Sequence, residues 1–144
     1  VSYGNLSQRN ASAYQSNEVL SRSEERLVPL LYRPLLKHLR RAREGIDERA
    51  IDEKAEHVGQ ALDILWELIA ALDPEADEEL TGNLISLYTF FIEETRAASS
   101  ELDPERLDRV IDLVDELHEA WETAAEKVAA EQDSGDGRGE LAVG

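Results

Sequence analysis

The sequence predicts an all-α protein: an antiparallel four-helix bundle with a loose N-terminal arm and a disordered C-terminal tail. Three observations predict it. Four stretches repeat their apolar residues with the 3.6-residue period of a helix, and no stretch alternates with the period of two that marks a strand. Asp-Pro pairs at 73–74 and 103–104 stand where one periodic stretch gives way to the next, as a cap followed by a first-turn proline does. The links between stretches are short, which sets neighbouring helices antiparallel. The expected organisation is an arm over 1–22, a bundle over 23–130 and a tail over 131–144.

The arm is rich in Ser, Asn and Gln, and Tyr14, Val19 and Leu20 are its anchors after Leu6. Ser23 suits an N-cap, with Glu24 and Glu25 where the helix dipole favours acids. The first helix then runs to about residue 47 on a stripe of Val28, Leu31, Leu35, Leu39, Ala42 and Ile46. Pro29 and Pro34 interrupt it. An interior proline removes a backbone hydrogen bond and costs ~3 kcal/mol, so an irregular or bent start is expected. Arg40, Arg41 and Arg43 form a basic island, read as a solvated helix end rather than a binding patch.

The second helix, over about 51–72, has a seam of Val58, Leu62, Leu65, Ile69 and Leu72, with Trp66 at its rim. The third, over about 77–98, buries Leu80, Leu84, Leu87, Phe91, Thr95 and Ala98. Ile85, Tyr88 and Ile92 form a second stripe beside the first, and Phe90 sits off the other flank. That arc is wider than one core needs. Either the helix is central in the bundle, or part of its apolar face is kept for a partner. The fourth helix runs from Asp103-Pro104 to about residue 130, through Leu107, Val110, Val114, Leu117 and Trp121. Trp121 and Trp66 read most simply as core or core-edge residues. The last fourteen positions hold four of the eight glycines and no periodicity, hence the tail.

Composition excludes several functions. With 15 basic and 32 acidic residues the net charge is −17. Such a surface repels nucleic acid and anionic lipid. There is no Cys, so there is neither a disulfide framework nor a thiolate site, which fits a reducing cytosol. The first 25 residues lack a signal pattern, and no run approaches the roughly 20 apolar residues of a membrane span. An acidic surface with few lysines also suits a high-salt cytoplasm, where salt screens self-repulsion.

Catalytic chemistry finds no support. A di-metal bundle needs inward Glu residues and Glu-x-x-His on two helices. Asp115 precedes His118 by three, but Lys54 holds the equivalent place before His57. A phosphotransfer histidine needs basic neighbours to steady the phosphoryl group. His57 lies between Glu56 and Val58, and His38 has Lys37 and Arg40 nearby but no other feature of such a site. His118 reads as a core-edge residue. No Gly-rich phosphate loop or Ser-His-Asp spacing occurs. No cofactor, metal or enzymatic activity is expected.

An ordered set of residues nevertheless resembles one family. It begins at Tyr14, Asn17, Val19 and Leu20 and continues through Ser23, Leu27, Val28, Leu31 and Tyr32. It then takes in Ala61, Ile64, Leu65, Leu68, Leu72 and Asp73, and most specifically Asn83-Leu84, Leu87-Tyr88 and Ile92, with Trp121 late in the last helix. From about Tyr14 to Val128 the chain resembles the flagellar secretion chaperones that escort flagellin, the FliS family. Departures are Arg33 and Pro34, where an acidic residue and Gly are usual; Pro29 at an aliphatic position; and Glu93 and Glu94, where Arg is frequent. They put polar client contacts in doubt.

The resemblance implies a cytosolic, non-enzymatic chaperone. It would bind the C-terminal segment of flagellin, prevent premature polymerisation and deliver it to the flagellar type III export apparatus. The arm around Tyr14 would cover part of the client site. A client helix would lay its apolar face on external strips, here expected at Ile85, Tyr88 and Ile92 with Leu62 and Trp66. The bland alternative completes the core with Ile85, Tyr88 and Ile92. A homodimer through the same strip in the absence of client, a helical adaptor, and a diverged paralogue with another client are the remaining readings.

Overall fold

A computed structural model describes the backbone of residues 22–73, 75 and 78–143, and the side chains of 28–73, 75, 78–123, 126, 130 and 131. The arm, Tyr14 included, lies outside the described residues. Four helices make up the described chain: α1 (Arg22–Asp47), α2 (Ile51–Ala70), α3 (Glu78–Glu101) and α4 (Pro104–Val143). No strand occurs among the described residues. α1 packs on α2 and α4, and α3 packs on the same two helices, so the four form a ring.

The direction of each pair follows from its contacts. Arg33, Arg40 and Arg43 on α1 meet Glu122, Asp115 and Asp108 on α4 respectively. The order reverses, so the two helices are antiparallel. His38 meets His57, and Gly45 lies against Lys54, so α1 and α2 are antiparallel as well.

α1 passes through both prolines without a break. Packing offsets their cost: Val28, Tyr32, Leu35, Leu36 and Leu39 are all buried. Its end is closed by a tight reversal. Ala50 N–H donates to Gly45 C=O at 2.9 Å and Arg49 N–H to Ile46 C=O at 3.3 Å, with Arg49 left-handed at φ 55°. The α3–α4 turn repeats the device, with Leu102 at φ 53° and Asp103 N–H on Ala98 C=O at 2.9 Å. Asp103 then caps α4, accepting the Arg106 N–H at 3.3 Å, with Pro104 in the first turn as the sequence predicts.

The backbone of α4 is helical to Val143. Once a helix exists, each further residue adds a hydrogen bond at little nucleation cost, and Ala129, Ala130 and Glu131 are good helix formers. Side chains from 132 onward lie outside the description.

The core runs the length of the ring. Trp121, Tyr32, Tyr88 and Phe91 are its largest fully buried members. Trp121 Nε1–H donates to the Tyr32 hydroxyl at 2.9 Å, and that hydroxyl lies 2.6 Å from the Tyr88 hydroxyl. Three helices are thereby tied by buried polar groups that satisfy one another. Burial pushes the Tyr88 phenol well above its ordinary pKa, so it stays neutral.

Two core positions make opposed predictions. The Thr95 hydroxyl is buried with no hydrogen-bond partner. Thr95→Val keeps the shape and removes the orphan, so it raises stability by about 1 kcal/mol, read in urea melts. Gly45 sits where a Cβ would come within 3.0 Å of Lys54 Cα, Cβ and N. Those are mostly backbone atoms of α2, which cannot swing aside. Gly45→Ala therefore pushes the helices apart and lowers stability by about 1–3 kcal/mol, despite alanine's better helix propensity.

Candidate functional site

Exposed apolar side chains are the feature to explain. Trp66 on α2 is 52% exposed and Ile85 on α3 is 39% exposed. Leu30 on α1, which the sequence reading missed, is 67% exposed. Leu62 is half-buried against the core. The structure sets Trp66 outside the bundle rather than at its core edge. In contrast, Tyr88 is 1% and Ile92 is 3% exposed. The outward presentation expected of these two is therefore corrected: both complete the core. The cause is the ring itself. α3 packs on α2 and on α4, and the two seams together use up a wide arc of its surface. Ile85 remains outside both.

Register places the exposed residues at one height. Leu30 lies eight residues before His38, and Trp66 nine after His57, to which His38 is bonded. At about 1.5 Å per residue these offsets are nearly equal. Lys54 Nζ donates to Ser99 C=O at 3.1 Å and fixes α2 against α3. Trp66 is twelve residues beyond Lys54, and Ile85 fourteen before Ser99. Leu30, Trp66 and Ile85 thus form a belt at one level on three consecutive helices, with Leu62 one turn away. Asp63 and Glu67 are exposed beside Trp66 and give the belt an acidic margin. What such a surface can do is bury an amphipathic partner helix, its apolar face inward and basic residues at its edges.

Charge is organised elsewhere in a way the sequence reading also missed. Arg33 and two members of the expected Arg40, Arg41 and Arg43 island, Arg40 and Arg43, are tied to acids of α4. They pair along the α1/α4 seam with Glu122 at 3.8 Å, Asp115 at 3.9 Å and Asp108 at 2.5 Å. Arg43 grips Asp108 through Nε and Nη2 and also meets Asp47. The acids stand seven residues apart, so they share one face of α4. His118 Nε2 lies 3.2 Å from Glu122 in a half-buried position at the core edge.

Among the described residues no helix is long and apolar enough to cross a membrane, and no group of three or more His, Asp or Glu side chains is placed to hold a metal ion. His38 and His57, far apart in sequence, are brought together, with their Nδ1 atoms 3.0 Å apart.

Residues 7–128 match the family described as flagellar protein FliS. The chain is 34% identical over 105 residues to the flagellar secretion chaperone FliSB of Pseudomonas aeruginosa, covering 73% of this chain and 83% of that protein. It is 32% identical over 110 residues to the flagellar secretion chaperone FliS of Campylobacter jejuni, covering 76% and 86%. Against that of Vibrio cholerae identity is 28% over 106 residues, covering 74% and 78%.

Proposed function

The chain belongs to the FliS family, whose relatives above are flagellar secretion chaperones, and from that premise we propose that it binds the C-terminal helical segment of flagellin. It holds that segment in the cytosol, keeps it from polymerising early and passes it to the flagellar export apparatus. No chemical step is involved; the protein acts by covering apolar surface.

The belt of Leu30, Trp66 and Ile85 is the observation that carries the binding surface. These side chains are costly to leave in water, at roughly 25 cal/mol per Å² of apolar area. The bundle itself leaves them exposed. A client helix laid on them, reaching Leu62, removes that cost. Tyr88 and Ile92 act from beneath, holding α3 so that Ile85 faces outward, and Tyr14 on the arm covers part of the site until the client arrives. Ordering a client segment costs 2–5+ kcal/mol, so the complex can be tight and still release its cargo.

Flagellin polymerisation followed by light scattering tests the reading. With the chain present at equal concentration, flagellin stays monomeric and co-elutes with it on gel filtration. Filament growth at the unassisted rate, with no co-elution, would contradict it. A flagellin lacking its C-terminal segment is the control that should not co-elute.

A further inference from the structure

His38 on α1 and His57 on α2 meet in the middle of the first hairpin, and the proposed function makes no use of them. Their Nδ1 atoms are 3.0 Å apart, their ring planes differ by 27°, and their centroids are 5.2 Å apart. The centroid separation is about the N–N distance plus the two ring radii. The nitrogens therefore point at one another, head to head.

That arrangement restricts the proton count. A neutral imidazole carries hydrogen on one nitrogen only, so one Nδ1 donates and the other accepts. A single extra proton is tolerated, because an imidazolium donates more strongly to a neutral ring. A second one sets N–H against N–H. The charged groups around the pair do not relieve this. Around His38, Lys37 and Arg41 on α1 add positive charge, and Glu56 on α2 opposes it. Desolvation first, and the neighbouring His57 next, hold the His38 pKa below its ordinary 6.5.

We propose that His38 and His57 form a pH-sensitive latch between α1 and α2, closed by a shared hydrogen and opened when both rings are protonated. Its sign follows from linkage. The folded state binds protons at His38 less readily than the unfolded chain does, so stability falls where the unfolded chain takes them up. The contribution of the latch is present above pH 6.5 and is lost as pH drops through the lower, folded value. The two helices that loosen are those that carry Leu30 and Trp66.

Thermal melts of the full chain across pH 8 to 5, beside a His38→Asn/His57→Asn variant, test it. The amide pair keeps a donor and an acceptor at every pH. Every other ionisable side chain is common to both proteins, so the difference isolates the latch. The melting advantage of wild type over the variant shrinks by about 2–4 °C between pH 7.5 and 5. Nitrogen NMR at pH 7.5 finds one of the two rings protonated at Nδ1 and the other at Nε2. A pH-independent difference, or both rings protonated at Nε2, overturns the proposal. Should the double variant not fold, His57→Asn alone decides: the His38 pKa rises toward 6.5, and an unchanged value refutes the latch.

Discussion

Replacing Trp66 and Ile85 together with aspartate lowers affinity for the flagellin C-terminal segment by about a hundredfold or more, while the bundle melts within a few degrees of wild type. The first half of this expectation comes from desolvation. A tryptophan at the centre of an interface is worth 2 kcal/mol or more, and two carboxylates added beside Asp63 and Glu67 must be buried unpaired under an apolar client face. Each 1.4 kcal/mol is tenfold in affinity. The second half comes from position. Both side chains stand outside the core, where substitutions change stability little. Isothermal titration with the segment and a thermal melt read the two halves separately. Binding within threefold of wild type would remove the belt as the client surface. A collapse in melting temperature would mean that the residues hold the bundle together instead.

Trp121→Ala should have the opposite profile, with a large loss of stability wherever binding is measured. Trp121 is fully buried on α4 and donates its indole hydrogen to Tyr32 on α1. Large-to-alanine changes at such sites cost about 3–5 kcal/mol. At roughly 2–4 °C per kcal/mol for a chain of this size, the melting temperature falls by about 6–20 °C. The hydroxyl network gives a finer ordering. Tyr32→Phe removes the bonds to both Trp121 and Tyr88, whereas Tyr88→Phe removes only the second of these. The melting loss should therefore run Trp121→Ala, then Tyr32→Phe, then Tyr88→Phe. A Tyr88→Phe loss larger than that of Tyr32→Phe would mean that the Tyr32 hydroxyl does not bridge the helices.

Much of this was readable from the chain, for a physical reason. Burial on a helix follows a fixed angular period, so the stripes of Leu35, Leu39 and Ala42, of Val58 and Leu65, and of Leu84, Leu87 and Phe91 show without any partner in view. The Asp103-Pro104 cap is local chemistry and was equally legible. What could not be read depends on which helices touch. The arc containing Tyr88 and Ile92 looks identical whether a helix faces one neighbour and a client, or two neighbours. Only the ring, with α3 seated between α2 and α4, decides for the core. Leu30 lies beside a good stripe, and its exposure depends on which helices flank α1.

Charge and histidine pairing had the same limit. The heptad spacing of Asp108, Asp115 and Glu122 is plain in the sequence, as is that of Arg33 and Arg40. That they face one another needs the α1/α4 pairing. His38 and His57 meet only because the first hairpin has this register. Helix α1 is continuous through Pro29 and Pro34, with packing by Tyr32, Leu35 and Leu36 overriding local preference.

Trp66 offers the most direct measurement of whether the external apolar belt receives the client. The chain has two tryptophans, and Trp121 is already sealed in the core. Acrylamide quenching of the wild-type chain, with and without a saturating tryptophan-free flagellin C-terminal segment, therefore reports on Trp66. Bound segment should shift the emission to shorter wavelength and take away most of the quenchable fraction, with no such change in Trp66→Phe. Saturated binding, verified by co-elution, that leaves wild-type emission and quenching unchanged would place the client elsewhere on the bundle.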